Sequence, residues 1–387
     1  MDKRVVLKEG KEKSLLRRHP WIFSGAIASI PEIEPGEVLP VYSSCNTFLC
    51  NAYFHPSNSL SGRVLSFTKE PIEKVIEDKL QRSIALRKKF LATTNAYRLV
   101  NSEGDGLPGL VIDCYADVLV MQISTFGMQR WKGYLVDLLC KLLSPRIIYE
   151  KSTSFSRKTE GLEDSEGVLF GEECNEVEII ENGIKFLVSL TDGQKTGFFL
   201  DQREMRKLLS TYCKEARVLN CFSYSAGFSL SALQGGAKEV VSVDICKRAC
   251  DLARRNTLLN NFSESSHRII QEDVFHFLKE SSLEYDVVIL DPPAFAKKKG
   301  DIPAACSGYK EINRGVLEKM PSQGLLLSSS CSYHVDDKLF QNLLFQAAQE
   351  AGRNVKILHR HLHAIDHPTS LYHPEGEYLK SLLLYVE

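Results

Sequence analysis

From Ala216 onward, apolar runs alternate with amphipathic stretches. The runs ARVLNCF (216 to 222), EVVSVD (239 to 244), RIIQED (268 to 273), YDVVILD (285 to 291), GLLLSSS (324 to 330) and KILHRH (356 to 361) are too short for helices. Their β-branched and aliphatic content marks them as strands. Between them, Lys247 to Asn260 and Asp337 to Glu350 show helical spacing. Strands joined by helices predict a parallel sheet covered on both faces. The last run, Lys380 to Val386, follows the turn Pro374-Glu375-Gly376 after a connection too short for a crossover helix. An antiparallel final strand is the expectation.

The first half is patterned differently. Residues 1 to about 70 hold short β-type runs (Val5 to Leu7, Glu37 to Tyr42, Thr47 to Phe54, Arg63 to Phe67) separated by Pro and Gly, predicting a small barrel-like β domain. From Pro71 to Leu91, apolar residues recur at helical steps (Ile72, Val75, Ile76, Leu80, Ile84), with Pro71 placed as a first-turn residue. Strands follow at Ala96 to Val100, Gly109 to Cys114 and Val118 to Ile123, then a helix at Met128 to Leu143 and a strand at Arg146 to Glu150. Val177 to Ile180 and Lys185 to Leu190 flank the turn Glu181-Asn182-Gly183, a hairpin signal. The pattern predicts an α/β chain with a β-barrel domain at 1–72, a linker helix at 73–92, a central small α/β domain with hairpin at 93–188, and a Rossmann-like domain at 189–387.

Composition changes this picture little. With 43% hydrophobic and 25% charged residues the chain is an ordinary globular protein. No apolar run approaches a membrane span, and MDKRVVLKEGKEK has no hydrophobic signal core, so a cytoplasmic location without membrane association is expected. The eleven cysteines include no C-x-x-C pair, which favours free thiols and no metal. Cys246 and Cys250 are helical neighbours without a second ligand pair. Net charge is −1, excluding a global basic field, yet residues 1 to 20 hold seven Lys or Arg against three acids, 7 − 3 = +4. A local patch of this kind meets phosphates or is simply a solvated face.

The ends of the strands carry the candidate chemistry, because ligands of open α/β sheets bind at strand carboxyl ends. The first turn, Phe222-Ser223-Tyr224-Ser225-Ala226-Gly227, contains one glycine instead of G-x-G-x-x-G, which disfavours a dinucleotide. Asp244 ends the second strand, where a carboxylate accepts hydrogen bonds from ribose hydroxyls. The third ends in Glu272-Asp273-Val274, an acid for an exocyclic amine with an apolar neighbour to stack against. The fourth ends in Asp291-Pro292-Pro293-Ala294-Phe295. A nucleoside without phosphates, held across four strand ends, points to S-adenosylmethionine.

The D-P-P turn suits two chemistries. It can hold a flat base whose amine is methylated directly, or it can serve a pyrimidine carbon that first needs a thiolate added at C6 to activate C5. Cys331, at the end of the next strand, is placed for the second, with Asp291 hydrogen-bonding N3 of the ring. A packed strand-end cysteine is the bland alternative. The base that removes the C5 proton is not evident; Cys306 is one candidate.

These residues resemble the bacterial large-subunit ribosomal RNA cytosine-C5 methyltransferases along nearly the whole chain. KEGKEKSLLRRHPWIFSGAI (8 to 27) looks like their PUA-type RNA-binding domain and EGDGLPGLVIDCY (103 to 115) like the opening of their central domain. TDGQKTGFFLDQREMR (191 to 206) is similar to the segment entering the catalytic domain. NCFSYSAGFS, DPPAF, GYKEIN (308 to 313), SSCS and HPEGEYLK (373 to 380) match successive motifs of that domain. The resemblance implies a class I methyltransferase acting on 23S rRNA with S-adenosylmethionine, Cys331 as nucleophile and Asp291 as the base-orienting acid. Cofactor contacts carry over to Asn220, Phe222, Asp244, Asp273 and Asp291, with Ser223, Gly227 and Val274 beside them. Gln194, Lys195, Thr196, Phe198 and Arg203 are expected to line the cofactor or substrate mouth. The family's glycine pair in the first turn is Ala226-Gly227 here, and the D-P-P motif carries no cysteine.

On the RNA side, a flipped base is expected to stack on Phe295 and Tyr309, beside Pro292, Pro293 and Lys310. Arg17, Arg18 and Trp21 would position the RNA backbone. Guanine-N7 methyltransferases look alike through Q-K-T-G and D-P-P but carry asparagine where this chain has Cys331. Direct N7 or amine methylation, and an inactive RNA-binding assembly factor, remain as alternatives. The sequence does not give the oligomeric state; a homodimer is compatible with it.

Overall fold

The structure is a computed structural model describing residues 3–387. The chain forms two compact units: Met1–Ile179 with Val188–Leu200 and Ile365–Gly376, and Ile180–Leu187 with Asp201–Ala364 and Glu377–Glu387.

In the first unit a six-stranded sheet runs in the order Trp21–Phe23, Leu60–Ser66, Phe48–Phe54, Val38–Tyr42, Val5–Leu7, Ile27–Ser29. Alternate side chains of these strands, such as Val5, Leu7, Val41, Cys50 and Phe54, close one core. Helix Ile72–Phe90 buries Val75, Ile76, Leu80 and Ile84 on one stripe. Pro71 is one position earlier than expected, in extended conformation at the helix entrance. A five-stranded sheet follows in the order Ser165–Phe170, Ile147–Ser152, Val118–Ile123, Leu110–Tyr115, Ala96–Asn101. The helix expected at 128–143 forms as two pieces, Phe126–Arg130 and Lys132–Leu143. Gly127 is required in the first piece, since a Cβ there would lie 2.2 Å from the Tyr53 ring.

The hairpin joins Glu176–Glu181 to Ile184–Ser189 through Asn182-Gly183, both at positive φ as a type I′ turn demands.

The second unit contains a seven-stranded sheet: β1 (Arg217–Cys221), β2 (Glu239–Asp244), β3 (His267–Gln271), β4 (Val287–Leu290), β5 (Gly324–Ser330), β6 (Val355–His361) and β7 (Lys380–Val386). Its spatial order is 3-2-1-4-5-7-6, with β7 antiparallel to both neighbours as expected. The helices are α1 (Arg203–Ser210), α2 (Gly227–Gln234), α3 (Lys247–Leu259), α4 (Val274–Glu280), α5 (Ile302–Lys319) and α6 (Asp337–Glu350). Leu219, Val241, Val288, Leu290 and Leu326 from the sheet pack with Phe277, Ile312, Val316, Phe340 and Leu344 from helices. Each such side chain contributes about 1.5–3 kcal/mol by leaving water. Leu290 pairs with Ser328 and Cys221 with Leu290. Residues following β1, β4 and β5 therefore emerge at one carboxyl end of the sheet. Among the described residues no helix is long and apolar enough to cross a membrane.

Candidate active site

The turn after β1 is built from left-handed residues that are not glycine: Phe222 (φ 59), Tyr224 (φ 46) and Ala226 (φ 69). Such conformations cost about 1 kcal/mol or more each and persist where surroundings enforce them. Here the enforcing group is Asp244, whose Oδ2 accepts from Tyr224 N at 2.8 Å and whose Oδ1 accepts from Cys246 N at 2.9 Å. Ala226 sits at one of these positive-φ positions just ahead of Gly227, the first residue of α2. Ser223 Oγ is buried without a hydrogen-bond partner.

Asn220 requires a correction. Its side chain is only 1% exposed, and Nδ2 donates to Ser229 Oγ at 2.8 Å, so it braces β1 against α2 instead of facing a cofactor. Val274 is likewise enclosed in the core. Its neighbour Phe275, not singled out from the sequence, is the exposed residue, with its ring 6.4 Å from Phe222 and 6.2 Å from Phe295. Asp273 is exposed and caps α4 by accepting from His276 N at 3.0 Å.

Asp291 directly follows β4, and its Oδ1 accepts from Gln202 Nε2 at 3.2 Å. Gln202 is buried, and its Oε1 has no partner. Beyond Asp291, Pro292 is buried, Pro293 is exposed and Phe295 is half-buried. Tyr309 corrects another expectation: it is 1% exposed, so no base stacks on it. Its ring supports Phe295 at 4.6 Å and its hydroxyl meets Ser332 Oγ at 2.9 Å. Lys310 pairs with Glu350 at 2.8 Å, between α5 and α6, and is not a free cation.

Cys331 is half-buried, and its Sγ donates to the Pro292 carbonyl at 3.8 Å. The flanking serines hold the turn. Ser329 Oγ donates to Ser381 Oγ at 2.8 Å, Ser330 Oγ accepts from Ser332 N at 3.3 Å, and Ser332 Oγ accepts from Ala296 N at 3.2 Å. Lys380, at the start of β7, is buried and donates to Ser332 O and Val335 O at 2.7 and 2.5 Å. Burial lowers its ammonium pKa to about 8, against the attraction of Cys331. Cys306 packs at the core edge, where burial pushes its thiol up.

The remaining candidates are scattered. Arg203 is buried beside Glu204 at 3.0 Å, an ion pair instead of an open mouth. Gln194, Lys195, Thr196 and Phe198 belong to the first unit. There Gln194 and Lys195 are exposed, the Lys195 ammonium lying 4.6 Å from the Phe199 ring centre. Thr196 is buried, donating to Asp113 Oδ2 at 2.5 Å, and Phe198 is buried with its N–H donating to Tyr115 Oη at 3.1 Å. Neither is free for substrate. Arg17 and Arg18 are exposed, but Trp21 is occupied: Nε1 donates to Glu103 at 2.9 Å and the ring lies 4.4 Å from His373. All eleven cysteines are free, and among the described residues no group of three or more His, Cys, Asp or Glu is placed to hold a metal.

The carboxyl end of the sheet fits S-adenosylmethionine. Ser223 and Gln202 present buried oxygens without partners, Asp244 and Asp291 supply carboxylates, and Phe222, Phe275 and Phe295 form an apolar wall. The S-adenosylmethionine-dependent methyltransferase family matches residues 161–370, and the PUA-like domain family matches residues 5–67. Ribosomal RNA large subunit methyltransferase I of Aeromonas salmonicida is 41% identical, covering 98% of both chains. Its counterpart in Vibrio cholerae is 42% identical over 97% of both. A solved structure described as a methyltransferase complexed with SAH is 28% identical, covers 99% of this chain and 100% of its own, and superposes with a TM-score of 0.86. An S-adenosylmethionine-dependent methyltransferase from Streptococcus mutans gives 28% identity, the same coverage and a TM-score of 0.84. The strand order, the side chains at its carboxyl end and these likenesses agree: the chain belongs to the family of S-adenosylmethionine-dependent methyltransferases that includes the ribosomal RNA large subunit methyltransferases I, with a PUA-like domain ahead of a Rossmann-like catalytic fold.

Proposed function

We propose that this chain methylates C5 of a cytosine in large-subunit ribosomal RNA in the cytoplasm, with Cys331 adding covalently to C6 of the ring. The observation that carries this reading is the half-buried thiol at the end of β5, 3.8 Å from the Pro292 carbonyl of the turn that also presents Asp291. A ribosomal RNA substrate is supported by what the Aeromonas and Vibrio relatives are named for. S-adenosylmethionine supplies an electrophilic methyl group when bound.

The Cys331 thiolate forms an S–C6 bond, and the electron pair of the C5–C6 double bond shifts onto C5. Asp291, steadied by Gln202, acts in its carboxylic-acid form, donating its O–H to N3 and stabilising the negative charge that develops there. Once C5 has taken the methyl group, its proton passes to a base, the S–C6 bond breaks and the thiolate is regenerated. Phe295, backed by Tyr309, bounds the base pocket. Arg17 and Arg18 hold RNA phosphates without choosing the base. We retain 1–72, 73–92, 93–188 and 189–387 as the working division of the chain.

The test is Cys331→Ala with large-subunit RNA as acceptor. Methyl transfer is lost while S-adenosylhomocysteine binding, read by calorimetry, is kept, and mass spectrometry of the wild-type product places the methyl on cytosine C5. Full transfer by the variant, or a product methylated at guanine N7 or an amine, overturns the covalent reading.

A further inference from the structure

We propose that Lys380 is a positioning residue for the nucleophile: it clamps the Cys331 turn through two carbonyls and supplies the buried positive charge that favours the thiolate. This rests on the covalent reading of Cys331.

Lys380 reaches the turn through sheet pairing, lying opposite Ser330 in the β5–β7 ladder. Its side chain is 5% exposed, and Nζ donates to Ser332 O at 2.7 Å and Val335 O at 2.5 Å. The two carbonyls lie on the segment that follows Cys331, so one ammonium fixes the path of the chain beyond the sulfur. An apolar side chain would fill this space without the penalty of burying a charge, and a charge solvated only by neutral carbonyls stays costly. Retaining it makes sense where an anion is to form nearby. Burial lowers Lys380 to about pKa 8, while Cys331, Asp336 and Asp337, in that order, act to raise it.

Other titratable groups surround the turn. Tyr309 comes from α5, and burial raises its hydroxyl. Asp291 follows β4, His334 lies in the turn itself, and Asp336 and Asp337 stand at the start of α6. The carboxylates oppose a thiolate, which leaves the Lys380 ammonium to offset them. The thiolate is the nucleophilic form, so its population at neutral pH sets how often Cys331 can attack.

The experiment uses full-length protein carrying Lys380→Gln, which keeps a polar donor in place of the ammonium but has no charge, beside Lys380→Arg and Lys380→Met. Alkylation of Cys331 by iodoacetamide is followed across pH by peptide mass spectrometry, with S-adenosylhomocysteine affinity measured in parallel. In Lys380→Gln the titration of Cys331 moves up by about one pH unit, so that alkylation near pH 7.5 slows by up to about 10-fold. Methyl transfer falls with it and recovers at higher pH, whereas Lys380→Arg keeps a wild-type titration. Should Lys380→Met fail to fold, Lys380→Gln carries the test. A Cys331 titration in Lys380→Gln that superposes on wild type overturns the proposal even if activity is lost. That result leaves the covalent reading standing, because only Cys331→Ala addresses it.

Discussion

Gln202 Nε2 donates to Asp291 Oδ1 at 3.2 Å, tying the start of the second unit's helical layer to the end of β4. Gln202 is buried and keeps Oε1 without a partner, an arrangement suited to orienting a carboxylate and meeting a ligand donor. A hydrogen bond to a charged group is worth about 1.5–3 kcal/mol. Gln202→Ala is therefore expected to lower kcat/KM by roughly 10- to 100-fold while leaving the fold intact by circular dichroism. Steady-state kinetics checks this, and an unchanged kcat/KM removes Gln202 from the site.

Asp244 performs two tasks, since both of its oxygens already accept backbone N–H groups that shape the β1 and β2 turns. Each oxygen retains acceptor capacity for ribose hydroxyls. Asp244→Ala removes both functions, and S-adenosylhomocysteine affinity is expected to drop by roughly 10- to 100-fold, from about 1.5–3 kcal/mol of charge-assisted hydrogen bonding. Calorimetry gives the answer directly; equal affinity in variant and wild type means the ribose lies elsewhere.

The neighbours Val274 and Phe275 separate packing from binding. Val274 lies in the core cluster, whereas Phe275 is 38% exposed beside Phe222 and Phe295. Val274→Ala should lose roughly 1–3 kcal/mol of stability in urea unfolding and keep cofactor affinity. Phe275→Ala should do the reverse, holding its urea midpoint while binding S-adenosylhomocysteine several-fold more weakly. If the two variants exchange these phenotypes, the apolar wall has been assigned to the wrong side of α4.

The reach of the sequence can be judged from the same residues. Strand positions were legible because runs such as VVIL and LLLSSS have no other stable reading beside helical spacers, and the turn chemistry of Asn182-Gly183 gave the hairpin. The positions of Cys331 and Asp291, one residue past the ends of β5 and β4, were legible because strand ends are. Side-chain direction was not. Asn220, Thr196 and Tyr309 carry the right chemistry, but the burial that commits each to an internal hydrogen bond depends on which element covers it. The roles of Gln202 and Lys380 have no signature in the sequence for a related reason. They approach the site through tertiary contact, Lys380 only because β7 runs antiparallel and sets it opposite Ser330. The strand Ser165–Phe170 is not legible because its exposed edge residues dilute the apolar pattern.

His267 makes the fold sensitive to acid. A chain of hydrogen bonds runs from Asn220 Nδ2 to Ser229 Oγ at 2.8 Å, on to Ser242 Oγ at 2.6 Å, and to His267 Nε2 at 2.7 Å. His267 Nδ1 meets Thr257 Oγ1 at 2.7 Å, and that hydroxyl donates to Ala253 O at 2.8 Å. Thr257 has spent its proton, so Nδ1–H must donate to it and Nε2 must accept from Ser242, which fixes a neutral tautomer. A protonated ring would set Nε2–H against the Ser242 hydroxyl and force the chain to reverse, yet an amide nitrogen at its head cannot accept. Burial accordingly depresses the imidazole to about pKa 4. Because the folded value lies below the ordinary one of about 6.5, the unfolded chain binds the proton first as pH falls, and stability is lost between roughly pH 6.5 and 4. The full shift corresponds to about 3 kcal/mol. Urea unfolding at pH 7.5, 5.5 and 4.5 should show this loss in wild type and a shallower dependence in His267→Gln. Parallel curves for the two proteins across that window would show that the ring does not carry the effect.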